Sequence, residues 1–150
     1  MARKIDTSEI TQCYMGGLDC SQVVFSYGAE IMDFDEEDAK KIAAAFGGGL
    51  FQGKTCGCVT GGLMALGLKY GHYELGDEEA KAKLLEKKAE YEKRFAEENE
   101  SLICRELCGY DFSQPGEFEK AMQSGDLLEI CPRLALSACK ILEDMLEADD

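Results

Sequence analysis

Apolar positions along this chain recur at helical spacing, and no stretch sustains the two-residue alternation of a strand. Ile10, Cys13 and Tyr14 mark a first helix that Thr7 or Ser8 would cap and that Gly16-Gly17 interrupts. Cys20-Ser21-Gln22-Val23-Val24-Phe25 then resumes as a helical or extended apolar run. Asp33-Phe34-Asp35-Glu36-Glu37 reads as a cap with an acidic first turn. Ala39, Ile42, Ala43 and Phe46 follow at helical spacing until Gly47-Gly48-Gly49 stops them. A glycine-rich loop, 47–53, leads into an uncharged segment. There Val59, Leu63, Leu66 and Tyr70 share one face, and Gly57, Gly61 and Ala65 form a smooth strip that admits a neighbouring backbone. With no charge between Lys54 and Lys69, the helix over 59–70 is expected to be buried and central.

From Asp77 to Glu100 neither glycine nor proline intervenes, which predicts one amphipathic helix of ~36 Å at 1.5 Å per residue. A short helix is expected to hold Leu102, Ile103, Cys104, Leu107 and Cys108 and to end at Gly109. Pro115 opens another through Met122, and Pro132 is placed in the first turn of a terminal helix running to about Glu147. The predicted fold is therefore all-α: a single-domain helical bundle over 1–150, built around a glycine-rich buried helix.

Composition narrows the partners. The chain has 150 residues, 45% of them hydrophobic, which suffices to bury a core, and a formal net charge of −14 that repels phosphate backbones and anionic lipid surfaces. Nucleic acid and membrane are poor candidates, and cationic or protein partners fit better. Met1-Ala2-Arg3-Lys4 is followed by no apolar run, so no signal peptide is expected. The longest apolar-rich stretch, 55–68, falls short of the roughly 20 residues of a membrane span. The expected compartment is a reducing cytoplasm, where cysteines pack, bind metal or work as thiols.

The compositional outlier is the set of 8 cysteines: Cys13, Cys20, Cys56, Cys58, Cys104, Cys108, Cys131 and Cys139. No successive pair has the three-position step of a C-x-x-C motif, which disfavours zinc ribbons, thioredoxin-like sites and ferredoxin runs. Any multi-cysteine site must be assembled from several helices. Cys56-Gly57-Cys58 lies where the loop enters the buried helix. Unpaired N–H groups and the helix dipole would favour a thiolate there, and two cysteines one residue apart would also clamp a metal ion. Plain core packing is the alternative for both. Cys104 and Cys108, four apart on one helix face, suit two ligands of one metal or buried packing. Cys131, read at a helix start, shares the dipole argument, Cys20 also falls near a helix start, and Cys139 falls among core residues. His72 is read as a C-terminal capping residue, with ligand or proton shuttle as the alternative. Asp35-Glu36-Glu37-Asp38 and Glu97-Glu98 read as solvated helix faces.

The order Cys20, then Gly-Cys-Val-x-x-Gly at 57–62, then Cys104 in Ile103-Cys104-Arg105-Glu106-Leu107, then Cys131 in Cys131-Pro132-Arg133-Leu134, resembles the C_GCAxxG_C_C family. Val59 stands where the pattern has Ala, and Cys13, Cys108 and Cys139 are additional to it. The doubled Cys56/Cys58 leaves two thiols for one family position. The resemblance, from about Cys13 to Leu146, implies redox activity and names no substrate.

The first reading is a cytoplasmic redox protein in which Cys20, Cys56 or Cys58, Cys104 and Cys131 converge on the buried helix, with Cys56 and Cys58 as the working thiols. They would act as a thiol/disulfide relay with a redox partner protein, or as ligands of an iron–sulfur cluster, zinc or another thiophilic metal. A second reading is a helical interaction module whose cysteines hold structural zinc or simply pack. A third is a small-molecule enzyme with the loop 47–53 framing a pocket. The loop matches neither a Walker nor a dinucleotide fingerprint.

Overall fold

The computed structural model describes residues 5–148, so the Met1-Ala2-Arg3-Lys4 stretch read for an export signal lies outside the described residues. The chain is all-α, and among the described residues no strand forms. Its elements are α1 (Thr7–Met15), α2 (Cys20–Ile31), α3 (Glu36–Ala43), α4 (Gly57–Tyr70), α5 (Glu78–Asn99), α6 (Cys104–Cys108), α7 (Glu117–Ser124) and α8 (Asp126–Ala148). No helix of the described residues is long and apolar enough to cross a membrane.

Asp6, not Thr7 or Ser8, caps α1, accepting from the Glu9 N–H at 2.9 Å. The run from Cys20 resolves to helix, because the Gln22 carboxamide oxygen accepts from the Asp19 N–H at 2.9 Å and closes the first turn. α3 is shorter than its apolar spacing suggests: Asp35 caps it, accepting from Asp38 N–H at 2.8 Å, Phe46 falls beyond its end, and Ile42 is exposed. Gly71 is the C-cap of α4, its N–H bonding the Gly67 carbonyl at 2.7 Å, and His72 lies one residue beyond.

The largest departure is α8, which begins at Asp126 and carries Pro132 inside it. The helix-starting chemistry is Ser124-Gly125-Asp126. The Ser124 hydroxyl accepts from the Asp126 N–H at 3.1 Å, and Gly125 turns the chain at φ 79°. Proline tolerates a first turn, and so suggests a start, but it does not define one.

α4 packs against α2, α5 and α8. The strip expected from Gly57, Gly61 and Ala65 is where α2 lies. A Cβ on Gly61 would sit 2.6 Å from the Ser21 carbonyl oxygen, and one on Gly57 would sit 3.1 Å from the Cys20 Cβ. Opposite, the fully buried Tyr91 of α5 donates its hydroxyl to the Cys58 carbonyl at 2.8 Å. Val59, Ala65 and Leu66 are fully buried with Phe95, Ala138, Cys139 and Leu142 in the core, whereas Leu63 is half-buried.

Candidate functional site

Four segments distant in sequence meet at one cavity. Cys20 is the first residue of α2, and the glycine strip of α4 sets that turn against Gly57. Cys56 is the N-cap of α4, where its sulfur accepts from the Cys58 N–H at 3.4 Å. The short extended piece before it pairs with the entrance to α6. Thr55 bridges Ile103, Cys56 N–H donates to the Leu102 carbonyl at 2.8 Å, and Cys104 N–H donates to the Lys54 carbonyl at 2.6 Å. That pairing sets Cys104 beside Cys56 across 48 positions of sequence. It is anchored by a left-handed turn, 48–53, in which Gly48, Gly49, Leu50, Phe51 and Gly53 all have positive φ. A Cβ on Gly49 would lie 2.7 Å from that of Cys104, so only glycine allows the approach. Cys131 reaches the same space from α8.

The cavity has a volume of about 260 Å³ and is lined by Tyr14, Cys20, Cys56, Cys104, Cys108 and Cys131 on its thiol side. Phe51, Phe112, Phe118, Met122, Leu128 and Leu134 form its apolar side. The loop 47–53 thus does frame a pocket, through Gly48 and Phe51. Cys58 is fully buried behind this wall and Cys139 is buried in the core. Cys13 and His72 do not line the cavity. The acidic clusters are exposed and away from it.

The Cys20 thiol interacts with those of Cys131 and Cys58 and with the Tyr14 hydroxyl. It is held well below the ordinary value of 9.0, chiefly by hydrogen bonding from Cys131, then Cys58, against the desolvation that opposes it. Tyr14 and the Cys20 backbone N–H add to the effect. The helix N-terminus favours Cys20, rather than Cys131 within α8, as the holder of the charge. The interaction with Cys20 pushes the Cys131 and Cys58 thiols up, burial and Cys56 adding to it. Cys131 and Cys58, expected to be acidic, therefore move the other way. Cys131 is not at a helix start, and each donates to a neighbouring thiolate. In the second pair, hydrogen bonding from Cys104 brings Cys108 down to about 7, and Cys104 is raised correspondingly. Tyr14, whose hydroxyl oxygen is buried with no well-aligned hydrogen-bond partner, is raised by burial and by the charge on Cys20. Sequence reasoning missed Tyr14 as a site residue, since a tyrosine on an apolar helix face carries no signal of its own.

None of the eight cysteines is in a disulfide. Among the described residues no group of three or more His, Cys, Asp or Glu side chains is arranged to hold a metal ion. As placed, the thiols of the described residues do not converge as a zinc or iron–sulfur ligand set requires. No step below is routed through a metal.

The family profile described as "Putative redox-active protein (C_GCAxxG_C_C)" matches residues 18–145. The chain belongs to this family. No curated protein and no solved structure matches it. In this C_GCAxxG_C_C member, Cys108, a cysteine additional to the named pattern, lines the cavity together with Cys56.

Proposed function

We propose that the chain is a thiol/disulfide exchange protein in which Cys20 is the attacking thiolate and Cys131 the resolving thiol. The observation that carries this reading is the position of Cys20. It starts a helix on the wall of a cavity that Cys131 and Tyr14 also line. A thiolate so placed attacks one sulfur of a disulfide R–S–S–R, forming Cys20–S–S–R and releasing R–S⁻. Cys131 then loses its proton to the released thiolate and attacks the Cys20 sulfur, giving Cys20–S–S–Cys131 and a second R–S⁻. The substrate gains two electrons and the protein loses two. A further dithiol, the redox partner, returns the protein to its reduced form.

This shifts the working thiol from Cys56 and Cys58 to Cys20. Cys58 has no access to the cavity and serves as a donor behind Cys20, while Cys56 lines the cavity beside Cys104. The test is one equivalent of bis(2-hydroxyethyl) disulfide on the reduced protein, followed by digestion and mass spectrometry. A Cys20–Cys131 cross-link is expected in the native chain, with the mixed disulfide trapped on Cys20 in Cys131→Ser. Adducts on other cysteines with Cys20 untouched would overturn the assignment.

A further inference from the structure

Resting on that exchange reading, we infer that the cavity selects small uncharged, apolar disulfides as its substrate and turns away charged ones. Three observations lead there. The first is size. An apolar cavity of about 150 Å³ holds one benzene ring, and at about 260 Å³ this cavity takes a molecule of roughly twice that bulk, whereas a folded protein's disulfide loop is larger.

The second is the lining. Among the described residues no Lys, Arg or His lines the cavity, and the one carboxyl there, Asp19, is itself raised by burial and then by Cys20. A carboxylate on the substrate would find no countercharge, and the net charge of −14 on the chain repels it before entry. A cationic substrate is drawn by the same field but must shed its water against aromatic and aliphatic walls, with only Asp19 to meet it.

The third is the rim. Phe51, Phe118, Met122 and Leu128 line the cavity and also stand 42%, 41%, 57% and 39% exposed, so the apolar wall continues outward to the mouth. These side chains leave the route to Cys20 apolar along its length. The S–S bond of an entering dialkyl disulfide would meet the Cys20 sulfur while its alkyl arms lie against Phe112 and Leu134. Exchange then proceeds as above: one S–S bond of the substrate breaks, one S–S bond of the protein forms, and two alkyl thiols leave.

The experiment compares four disulfides of similar size on the reduced native chain: dipropyl disulfide (apolar), bis(2-hydroxyethyl) disulfide (polar, neutral), cystamine (dicationic) and dithiodiglycolate (dianionic). Each rate of Cys20 modification, followed by quenching and mass spectrometry, is divided by that of the same probe with 2-mercaptoethanol thiolate, which removes intrinsic reactivity. Dipropyl disulfide is expected to lead the two charged probes by tenfold or more. Met122→Asp, which changes an exposed rim side chain, is expected to cut that lead at least threefold. Equal normalised rates, or a lead for cystamine, would overturn the substrate class while leaving the exchange reading standing. Failure of all four probes to modify Cys20 would remove both. An unchanged lead in Met122→Asp would show that the rim takes no part and would overturn the rim argument.

Discussion

Replacing Gly61 by alanine tests the close approach on which the site depends. The added methyl would meet three backbone atoms of α2: the Ser21 carbonyl oxygen at 2.6 Å, Ser21 Cα at 3.1 Å and Phe25 N at 3.2 Å. Backbone cannot rotate aside as a side-chain tip does. Reaching the about 3.5 Å of an ordinary contact requires α2 to back away by nearly 1 Å. Overpacking of this kind costs about 1–3 kcal/mol, partly offset by the about 1 kcal/mol by which alanine exceeds glycine in a helix interior. Gly67, on the same helix, is the control, because a methyl there meets nothing within 4 Å and brings only the propensity gain. The propensity contribution is common to both variants, so the difference between them reports the overpacking alone. At about 2–4 °C per kcal/mol for a chain of this size, Gly67→Ala should melt about 2–4 °C above the native protein. Gly61→Ala should lie below Gly67→Ala by about 2–12 °C in the same calorimetric scans. Because the displaced turn carries Cys20, its alkylation at neutral pH should slow in Gly61→Ala and stay unchanged in Gly67→Ala. Equal melting of the two variants would refute the close contact of α2 with α4, and with it the account of how Cys20 comes to face Cys58.

Removing the hydroxyl in Tyr14→Phe takes away a group that lowers the Cys20 thiol, so the pH midpoint of Cys20 alkylation should rise. Tyr91→Phe should cost about 0.5–1.5 kcal/mol through the lost bond to the Cys58 carbonyl, read as a lower urea midpoint. Stability should fall as pH rises above 9. Cys58, Cys104 and Cys131, ordinarily at 9.0, and Tyr91, ordinarily at 10.0, are all raised in the fold, so their contribution is complete below those values and is lost above them as the unfolded chain ionises. Cys20, lowered in the fold, acts in the opposite sense, its contribution fading as pH drops through its native value. Urea midpoints between about pH 9 and 10.5 that hold level or climb would contradict this balance.

The helical architecture was legible because it rests on local signals. The unbroken run after Asp77 becomes α5, and the glycine strip of α4 is the surface on which α2 lies. What escaped was set by tertiary contacts or by competing local cues. Pro132 was the stronger visual marker of a helix start, but the Ser124 hydroxyl is what holds the first turn of α8. With the start at Asp126, Cys131 lies in the second turn of α8 and not at its terminus, and its thiol is raised instead of lowered. The order of Cys20, Cys104 and Cys131 is visible in the sequence, but their meeting at one cavity is not, because separations of tens of residues close only through the fold. The pairing of 54–56 with 102–104, which carries Cys104 to the cavity, involves so few residues that no alternation announces it.

The wide spacing of the cavity's cysteines has a consequence for how the chain matures. Cys20, Cys56, Cys104 and Cys131 come from the beginning, middle and end of the sequence, and α8 packs against α1, α2, α4, α5, α6 and α7. During synthesis, six of the eight cysteines have left the ribosome before Asp126 does, yet the residue that tunes Cys20 most strongly has not. Until α8 docks, Cys20 lacks the neighbour that lowers its thiol most. A chain truncated before α8 would keep six of the eight cysteines and lack Cys131, the resolving thiol of the proposed exchange.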